Sequence, residues 1–232
     1  MATETKEQQY TVVGKRVHRH DGVDKVMGKA RFGADISLPG MVHGKVLRSP
    51  HAHAIIKSID TSKAEAHPGV LAVVTSADLA VVGDEMAELG EETYTALKYV
   101  KDKMLASDKA LFKGHPIAAL AASSPHLAEE LLSLIEVEYE VLPSVTNVED
   151  AMKPDAPLLH KEMTTGGLID EAVKGTNVAA HNQFDLGDIE KGFEAADRVL
   201  EREFRTKSVH QGYIEPQNGT AWWSPDGYLT VW

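Results

Sequence analysis

The feature that most constrains the fold is a series of short segments rich in Val and Ile, several of them bounded by Gly or Pro. Segments of this length and composition are typical of buried or half-buried β-strands. Helical patterns fall between some of them, so we expect a mixed α/β (α+β) fold. The expected strands cover residues 10–17, 42–48, 52–59, 70–75, 115–122 and 135–141.

Two segments have helical patterns. Ser124-Pro125 combines a favoured N-cap residue with proline at the first helical position, and four leucines follow up to Leu134. A helix over 125–134 should therefore lead directly into the strand at 135–141. The second candidate covers 86–105, where apolar residues recur at helical spacing but Gly90 interrupts them.

The apolar periodicity fades between residues 148 and 176, where Pro154, Pro157 and Gly166-Gly167 interrupt the chain. This stretch is typical of a connector that runs over a surface. We therefore predict an α/β domain over residues 1–147, a connector over 148–176, and the first elements of a second domain over 177–232.

Four elements are expected in the second domain. Residues 179–186 and 198–207 have strand patterns, and Asp188 can cap a short helix that runs to residue 196. Ser224-Pro225-Asp226-Gly227 has the composition of a turn and lies between two runs of aromatic and β-branched residues. The segment 220–232 should therefore form a hairpin.

Composition excludes several classes of protein. The formal net charge of −11, without any basic run, argues against a nucleic-acid partner. The absence of cysteine excludes disulfides, thiolate zinc sites and cysteine-ligated iron–sulfur clusters on this chain. The N-terminus has no signal-peptide pattern, and no apolar run is long enough to span a bilayer. We expect a cytoplasmic protein without a membrane span.

Motifs for common chemistries are missing. The chain contains no P-loop, no glycine-rich dinucleotide motif and no G-x-S-x-G nucleophile elbow. Two H-x-H pairs, His18/His20 and His51/His53, could place imidazoles on one side of a strand, but no third ligand follows at a recognisable spacing. No metal site is predicted. The acidic residues Asp84, Glu85, Glu88, Glu91 and Glu92 lack EF-hand spacing and are expected on a solvated helix face.

One segment, residues 208–218, concentrates hydrogen-bonding side chains between two expected strands. Segments of this kind often carry function, and Gly212 gives the backbone additional freedom. The segment is therefore a candidate functional loop, with Glu215 beside Pro216 where a strand is expected to restart. The alternative is a turn whose polar side chains satisfy backbone groups.

A series of sequence blocks then runs in order through nearly the whole chain. The first is VGKRV at 13–17, followed by DGVDKVMGKARFGAD at 21–35. Later blocks are RSPHAHA at 48–54, ASDK at 106–109 with GHPIA at 114–118, IEVEYE at 135–140, and HQGYIEP at 210–216. Together these blocks resemble the molybdopterin-binding subunits of the xanthine oxidase/aldehyde oxidase family.

The resemblance implies an α/β hammerhead domain, a connector and the start of a larger molybdenum-cofactor-binding domain. It also implies hydroxylation of an aldehyde, N-heterocycle or related aromatic carbon with oxygen from water, at a molybdenum–pterin cofactor. Electrons would pass to [2Fe–2S] clusters and FAD on partner subunits. Within this scheme His210, Gln211 and Glu215 would support the cofactor shell, with Glu215 the strongest candidate.

The glutamine-bearing loop, the glycine-rich loop and the catalytic glutamate of complete family members have no counterpart among these residues. No catalytic residue is therefore assigned, and the isolated chain is expected to be inactive. Two alternatives stay open: a larger molybdopterin-binding polypeptide from a split gene completes the chain, or the chain is a fragment of a longer one. The alternative is a stand-alone binding or assembly module that has the hammerhead fold and no redox activity.

Overall fold

The computed structural model describes residues 10–88, 94–167, 173–184 and 186–232. Its chain divides into two units, one formed by Met41–Glu203 and the other by Met1–Gly40 with Phe204–Trp232. In chain order the elements are α1 (Gly22–Val26), β1 (His43–Arg48), β2 (Ala54–Asp60), α2 (Ser62–Glu65), β3 (Val70–Thr75), β4 (Met86–Glu88), β5 (Tyr94–Ala96), α3 (Leu97–Met104), β6 (Lys109–Ala110), β7 (Pro116–Ala122), α4 (Pro125–Leu131), β8 (Glu136–Val141), α5 (Val148–Ala151), α6 (Ile189–Glu194), β9 (Ala221–Trp223) and β10 (Leu229–Val231).

The unit Met41–Glu203 contains two three-stranded antiparallel sheets. The first has the order β1-β7-β3 and the second the order β6-β2-β8. Five of the six strands expected before residue 142 are therefore present, because each has a neighbouring strand with which to pair. A smaller antiparallel pair joins β4 to β5.

The first core of this unit lies where the β1-β7-β3 sheet meets α2 and α4. It is built largely from alanine, which brings the helices close to the strands. Alternate residues of β7 enter it, as expected for a half-buried strand. Its fully packed members are Ala64, Ala118, Leu120, Ala122, Ala128, Leu131 and Ile135.

A second, smaller core lies beneath the β6-β2-β8 sheet. Ala106, Ala110 and Ile117 are completely buried there, and Tyr139 packs against them. Ile117 belongs to β7, which also enters the first core, and Ile59 and Val137 pack against both cores. Removal of these apolar surfaces from water, worth about 25 cal/mol per Å², is the main contribution that holds the sheets together.

The helix starts follow from the local sequence. The Ser124 hydroxyl accepts a hydrogen bond from the Leu127 N–H at 3.2 Å, and Pro125 occupies the first turn of α4. The expected helix is confirmed, although its last turn, Leu132–Leu134, is a 3-10 helix. Asp188 caps α6 in the same way, by accepting from the Lys191 N–H at 3.1 Å.

The expected helix over 86–105 is wrong in its first part. β4 and β5 occupy the beginning of that segment, and the helix is confined to α3. Gly90, Glu91 and Glu92 lie outside the described residues. The acidic residues were assigned to a helix face, but Glu88 belongs to a strand. Strand pairing between Met86–Glu88 and Tyr94–Ala96 has outweighed the weak helical periodicity.

Three expected strands are absent from the described structure for one common reason. Residues 10–17 form turns around Gly14, whose φ is +74°, and residues 198–207 form neither helix nor strand. Residues 179–186 make only a single bridge, between Ala180 and Gly166. A β-branched or alternating pattern becomes a strand only where a partner strand is within hydrogen-bonding reach.

The connector is anchored by its polar residues. The Asn177 amide donates to the carbonyl oxygens of Ala151 and Pro157 and accepts from the Leu159 N–H. Thr165 is buried, and its hydroxyl donates to the Val178 carbonyl oxygen. Among the residues that the structure describes, no helix has the length and apolar character needed to cross a membrane.

The unit Met1–Gly40 with Phe204–Trp232 contains α1, a 3-10 turn at Gly33–Asp35 and the β9–β10 hairpin. The expected hairpin is confirmed, with Trp223 opposite Leu229 and a positive φ of +89° at Gly227 in the turn. The backbones of Thr220 and Trp232 exchange two further hydrogen bonds that extend the hairpin.

Candidate functional site

The candidate segment 208–218 lies in the unit Met1–Gly40 with Phe204–Trp232 and forms neither helix nor strand. The three predicted residues, His210, Gln211 and Glu215, are all exposed. The segment therefore presents polar side chains to solvent and, in the described structure, does not enclose a buried pocket.

His210 is held by its own turn. Its Nδ1 accepts the N–H of Gly212 at 2.9 Å, and its ring meets the Tyr213 ring edge-to-face at 5.5 Å between centroids. Gly212 has a φ of +69°, a conformation that side-chain-bearing residues rarely adopt. Because Nδ1 is the acceptor, the neutral ring carries its hydrogen on Nε2, where it can donate to another group.

Glu215 borders an open hollow of about 690 Å³ formed by Gly33 and residues 213–218. A Cβ at Gly33 would lie 2.6 Å from the Asn218 amide oxygen, so a larger residue here would require the Asn218 side chain to move. The Asn218 amide in turn donates to the Pro216 carbonyl oxygen at 3.0 Å. Glu215 therefore faces a hollow, whereas His210 and Gln211 do not line it.

Asn218 belongs to the segment that the sequence identified, but the sequence did not connect Gly33 with it. Gly33 lies in one of the blocks that carry the family resemblance, but no local pattern connects it to a segment near the other end of the chain. Only the fold brings the 3-10 turn at Gly33–Asp35 against Asn218.

Three further histidines, His51, His53 and His115, contact neighbouring residues of the fold. His53 is buried with its Nδ1 2.7 Å from the Pro143 carbonyl oxygen, and the His51 ring packs edge-to-face on Tyr139. His115, completely buried, accepts the Leu111 N–H with Nδ1 and donates to the Asp102 carbonyl oxygen with Nε2. Within the described ranges, no three His, Asp or Glu side chains come together as metal ligands.

The described residues of this segment do not fit a molybdenum–pterin cofactor by themselves. The hollow beside Glu215 is open and its neighbour Ile214 is completely exposed, so these residues do not enclose a pterin. They also place no lysine or arginine on the hollow to balance a phosphate.

The arrangement has counterparts among known proteins. Residues 27–143 match the aldehyde oxidase and xanthine dehydrogenase a/b hammerhead domain, and residues 170–232 match the molybdopterin cofactor-binding domain. The first match alone covers half of the chain. The aldehyde oxidoreductase from Desulfovibrio gigas, 24% identical, superposes with a TM-score of 0.68 over 92% of this chain and 22% of its own, which supports the fold.

Curated relatives match nearly the whole chain. The nicotinate dehydrogenase large molybdopterin subunit of Eubacterium barkeri is 34% identical over 96% of this chain, and the carbon monoxide dehydrogenase large chain of Afipia carboxidovorans is 36% identical over 95%. This chain spans 47% of the first relative and 27% of the second.

The fold and the matches define a mixed α/β hammerhead domain followed by part of a molybdopterin cofactor-binding domain. The chain belongs to the aldehyde oxidase and xanthine dehydrogenase family. The resemblance seen in the sequence blocks and the expected fold class are thereby confirmed.

Proposed function

We propose that this chain forms part of a molybdenum-cofactor-dependent oxidoreductase that hydroxylates an aldehyde, N-heterocycle or related aromatic carbon with oxygen from water. The observation that carries the proposal is the succession of two family matches, hammerhead then cofactor-binding, along one chain. The relatives that share both regions include a nicotinate dehydrogenase subunit, whose substrate by name is an N-heterocycle.

Each of three consecutive parts of the chain has its own proposed role. Residues 1–147 would form the hammerhead, 148–176 the connector, and 177–232 the first part of the cofactor-binding domain. The cofactor supplies the oxidising centre when it is bound. This chain would contribute packing surface and the polar segment 208–218, in which His210, Gln211 and Glu215 orient neighbouring groups and none acts as the catalytic base.

Partner segments are part of the proposal. The remaining cofactor-binding loops would come from a larger molybdopterin-binding polypeptide, and [2Fe–2S] clusters and FAD from further subunits. Exposed aromatic side chains of the hairpin support this requirement, since Trp222 is 49% and Trp223 67% exposed. Apolar surfaces of this kind are usually covered by another chain or segment.

The cytoplasm is the proposed location. The isolated chain is proposed to be inactive, because Glu215 and its neighbours do not enclose a cofactor. Expression of the 232-residue chain, alone and together with the candidate partner polypeptides, tests this. Molybdenum content and dye reduction should appear only in the assembled complex. A complex without molybdenum would favour the alternative, a binding or assembly module without redox activity.

A further inference from the structure

A small cavity lies in the unit Met41–Glu203, and no residue of segment 208–218 lines it. It has a volume of about 250 Å³, and α3, β6 and the connector contribute to its wall. Drug-sized ligands usually occupy larger pockets, so this one suits a single small polar group. The lining residues that matter here are Lys98, Tyr99, Asp102, Ser107, Lys109 and His160.

Lys109 has unused hydrogen-bonding capacity at this cavity. Its ammonium group donates to the Leu159 carbonyl oxygen at 2.5 Å, and no other partner is found for it among the described residues. An ammonium group carries three donors, so two remain for a ligand. Lys109 is partly exposed, so its remaining donors are accessible to a ligand at the cavity.

His160 is in a similar position. Its ring packs edge-to-face on Tyr99 at 4.9 Å between centroids, and neither ring nitrogen forms a hydrogen bond with the residues described. The Ser107 hydroxyl, also on the cavity wall, has no partner in that part of the chain either. Three donors of different types therefore face one cavity.

The charge balance favours an anion. Lys103 and Lys161 act electrostatically on His160 and Lys109, which adds positive charge around the cavity. Asp102 and Asp108 oppose them, and Asp102 keeps its negative charge although its carboxylate accepts the Ser107 N–H at 3.1 Å, so Lys103, Lys109 and Lys161 leave a net excess of one positive charge over these two aspartates. Asp108 is exposed at the rim, and Lys98 is paired with Asp84.

We propose that this cavity is a binding site for a small oxyanion, held by the Lys109 ammonium, an N–H of His160 and the Ser107 hydroxyl. A carboxylate group and a phosphoryl group both present the required acceptor oxygens. Charge-assisted hydrogen bonds of this kind are stronger than neutral ones. The proposal is independent of the redox function, and its failure would leave that function untouched.

The test titrates acetate and, separately, inorganic phosphate into the 232-residue chain while the His160 ring signals are followed by NMR. At least one anion should shift these signals saturably, whereas chloride at equal ionic strength should not. A tighter fit for acetate would identify a carboxylate site, and one for phosphate a phosphoryl site. Absence of saturation, or an equal response to chloride, would overturn the proposal.

Substitutions at the cavity test which side chains bind the anion. Lys109→Gln should weaken binding about tenfold or more, the scale expected when a charge-assisted bond is removed. Lys109→Arg, which keeps the charge, should lose less. Lys113→Gln, at an exposed lysine outside the cavity, is the matched control and should bind normally. Equal losses in Lys109→Gln and Lys113→Gln would refute the site. If Lys109→Gln fails to fold, Ser107→Ala must show the weakening instead.

Discussion

The imidazole of His53 is bonded to the carbonyl oxygen of Pro143, with Nδ1 2.7 Å away. The Leu142 N–H donates to the His53 carbonyl oxygen at 2.9 Å, so the same pair of segments is joined twice. These bonds fasten the start of β2 to the chain that leaves β8. Since a carbonyl oxygen only accepts, Nδ1 carries the hydrogen, and the buried Nε2 has no partner in the described structure.

His53→Ala should therefore destabilise the chain. The substitution removes a buried hydrogen bond and leaves a cavity at a residue that is only 4% exposed. The free energy of unfolding should fall by about 2–3 kcal/mol, which urea unfolding would measure. His126→Ala, at an exposed position on α4, is the control and should change it little. Identical urea midpoints for the two variants would contradict the assigned role of His53.

Ser124→Ala tests the cap of α4. Loss of the bond from the Leu127 N–H to the Ser124 hydroxyl should cost about 1 kcal/mol of stability, the usual value for an N-cap. The neighbouring Ser123 is exposed and forms no side-chain hydrogen bond among the residues described, so Ser123→Ala is a matched control. Thermal unfolding of both variants would distinguish them, and equal midpoints would show that the cap contributes nothing.

The cap and the hairpin turn show how far sequence reasoning extends. Ser124-Pro125 and Ser224–Gly227 form their structures from contacts within a few residues, so their sequences predict them. Five strands of the hammerhead were also predictable, because their patterns coincide with partners in the sheet. Residues 10–17 and 198–207 have similar patterns but no partner strand in the described structure, and no local pattern reveals whether a partner exists.

The candidate site, like the fold, could be predicted only in part from the sequence. The polar composition of residues 208–218 predicts a candidate segment, and the family resemblance implies roles for His210, Gln211 and Glu215 within it. Their distribution, with Glu215 on the hollow and the other two outside it, depends on the contact between Gly33 and Asn218. Contacts between residues so distant in sequence are set by tertiary packing, which periodicity does not encode.

The pH dependence of stability should include a contribution from His160. Burial lowers the pKa of His160, and the nearby Lys109 and Lys103 act in the same direction, against Asp102. Below about pH 6.5 the unfolded chain protonates this histidine while the folded chain resists. His160 therefore adds stability that is fully present above that pH and is lost as pH falls through its folded pKa.

The measurement is urea unfolding at several pH values between 8 and 5. Wild type should lose more stability over this interval than His160→Phe, which keeps an aromatic ring beside Tyr99 but cannot titrate. Parallel curves for the two proteins would show that His160 does not contribute.

Glu215→Gln tests the proposed role of segment 208–218 in the assembled enzyme. A carboxylate that orients neighbouring groups should be sensitive to loss of its charge, and molybdenum occupancy or turnover should fall about tenfold or more, as for other residues that support a metal centre. Glu194→Gln, an exposed carboxylate at the end of α6, is the control. Full occupancy and turnover in both variants would reduce the segment to a turn.

The proposed function makes this chain one part of a molybdenum enzyme that does not hold the cofactor alone. It is tested by the molybdenum content, with dye-reducing activity, of the purified chain and of the complex formed with its partner polypeptides. Stoichiometric molybdenum and activity are expected in the complex and neither in the isolated chain. Stoichiometric molybdenum with activity in the isolated chain, or an assembled complex free of molybdenum, would refute the proposal.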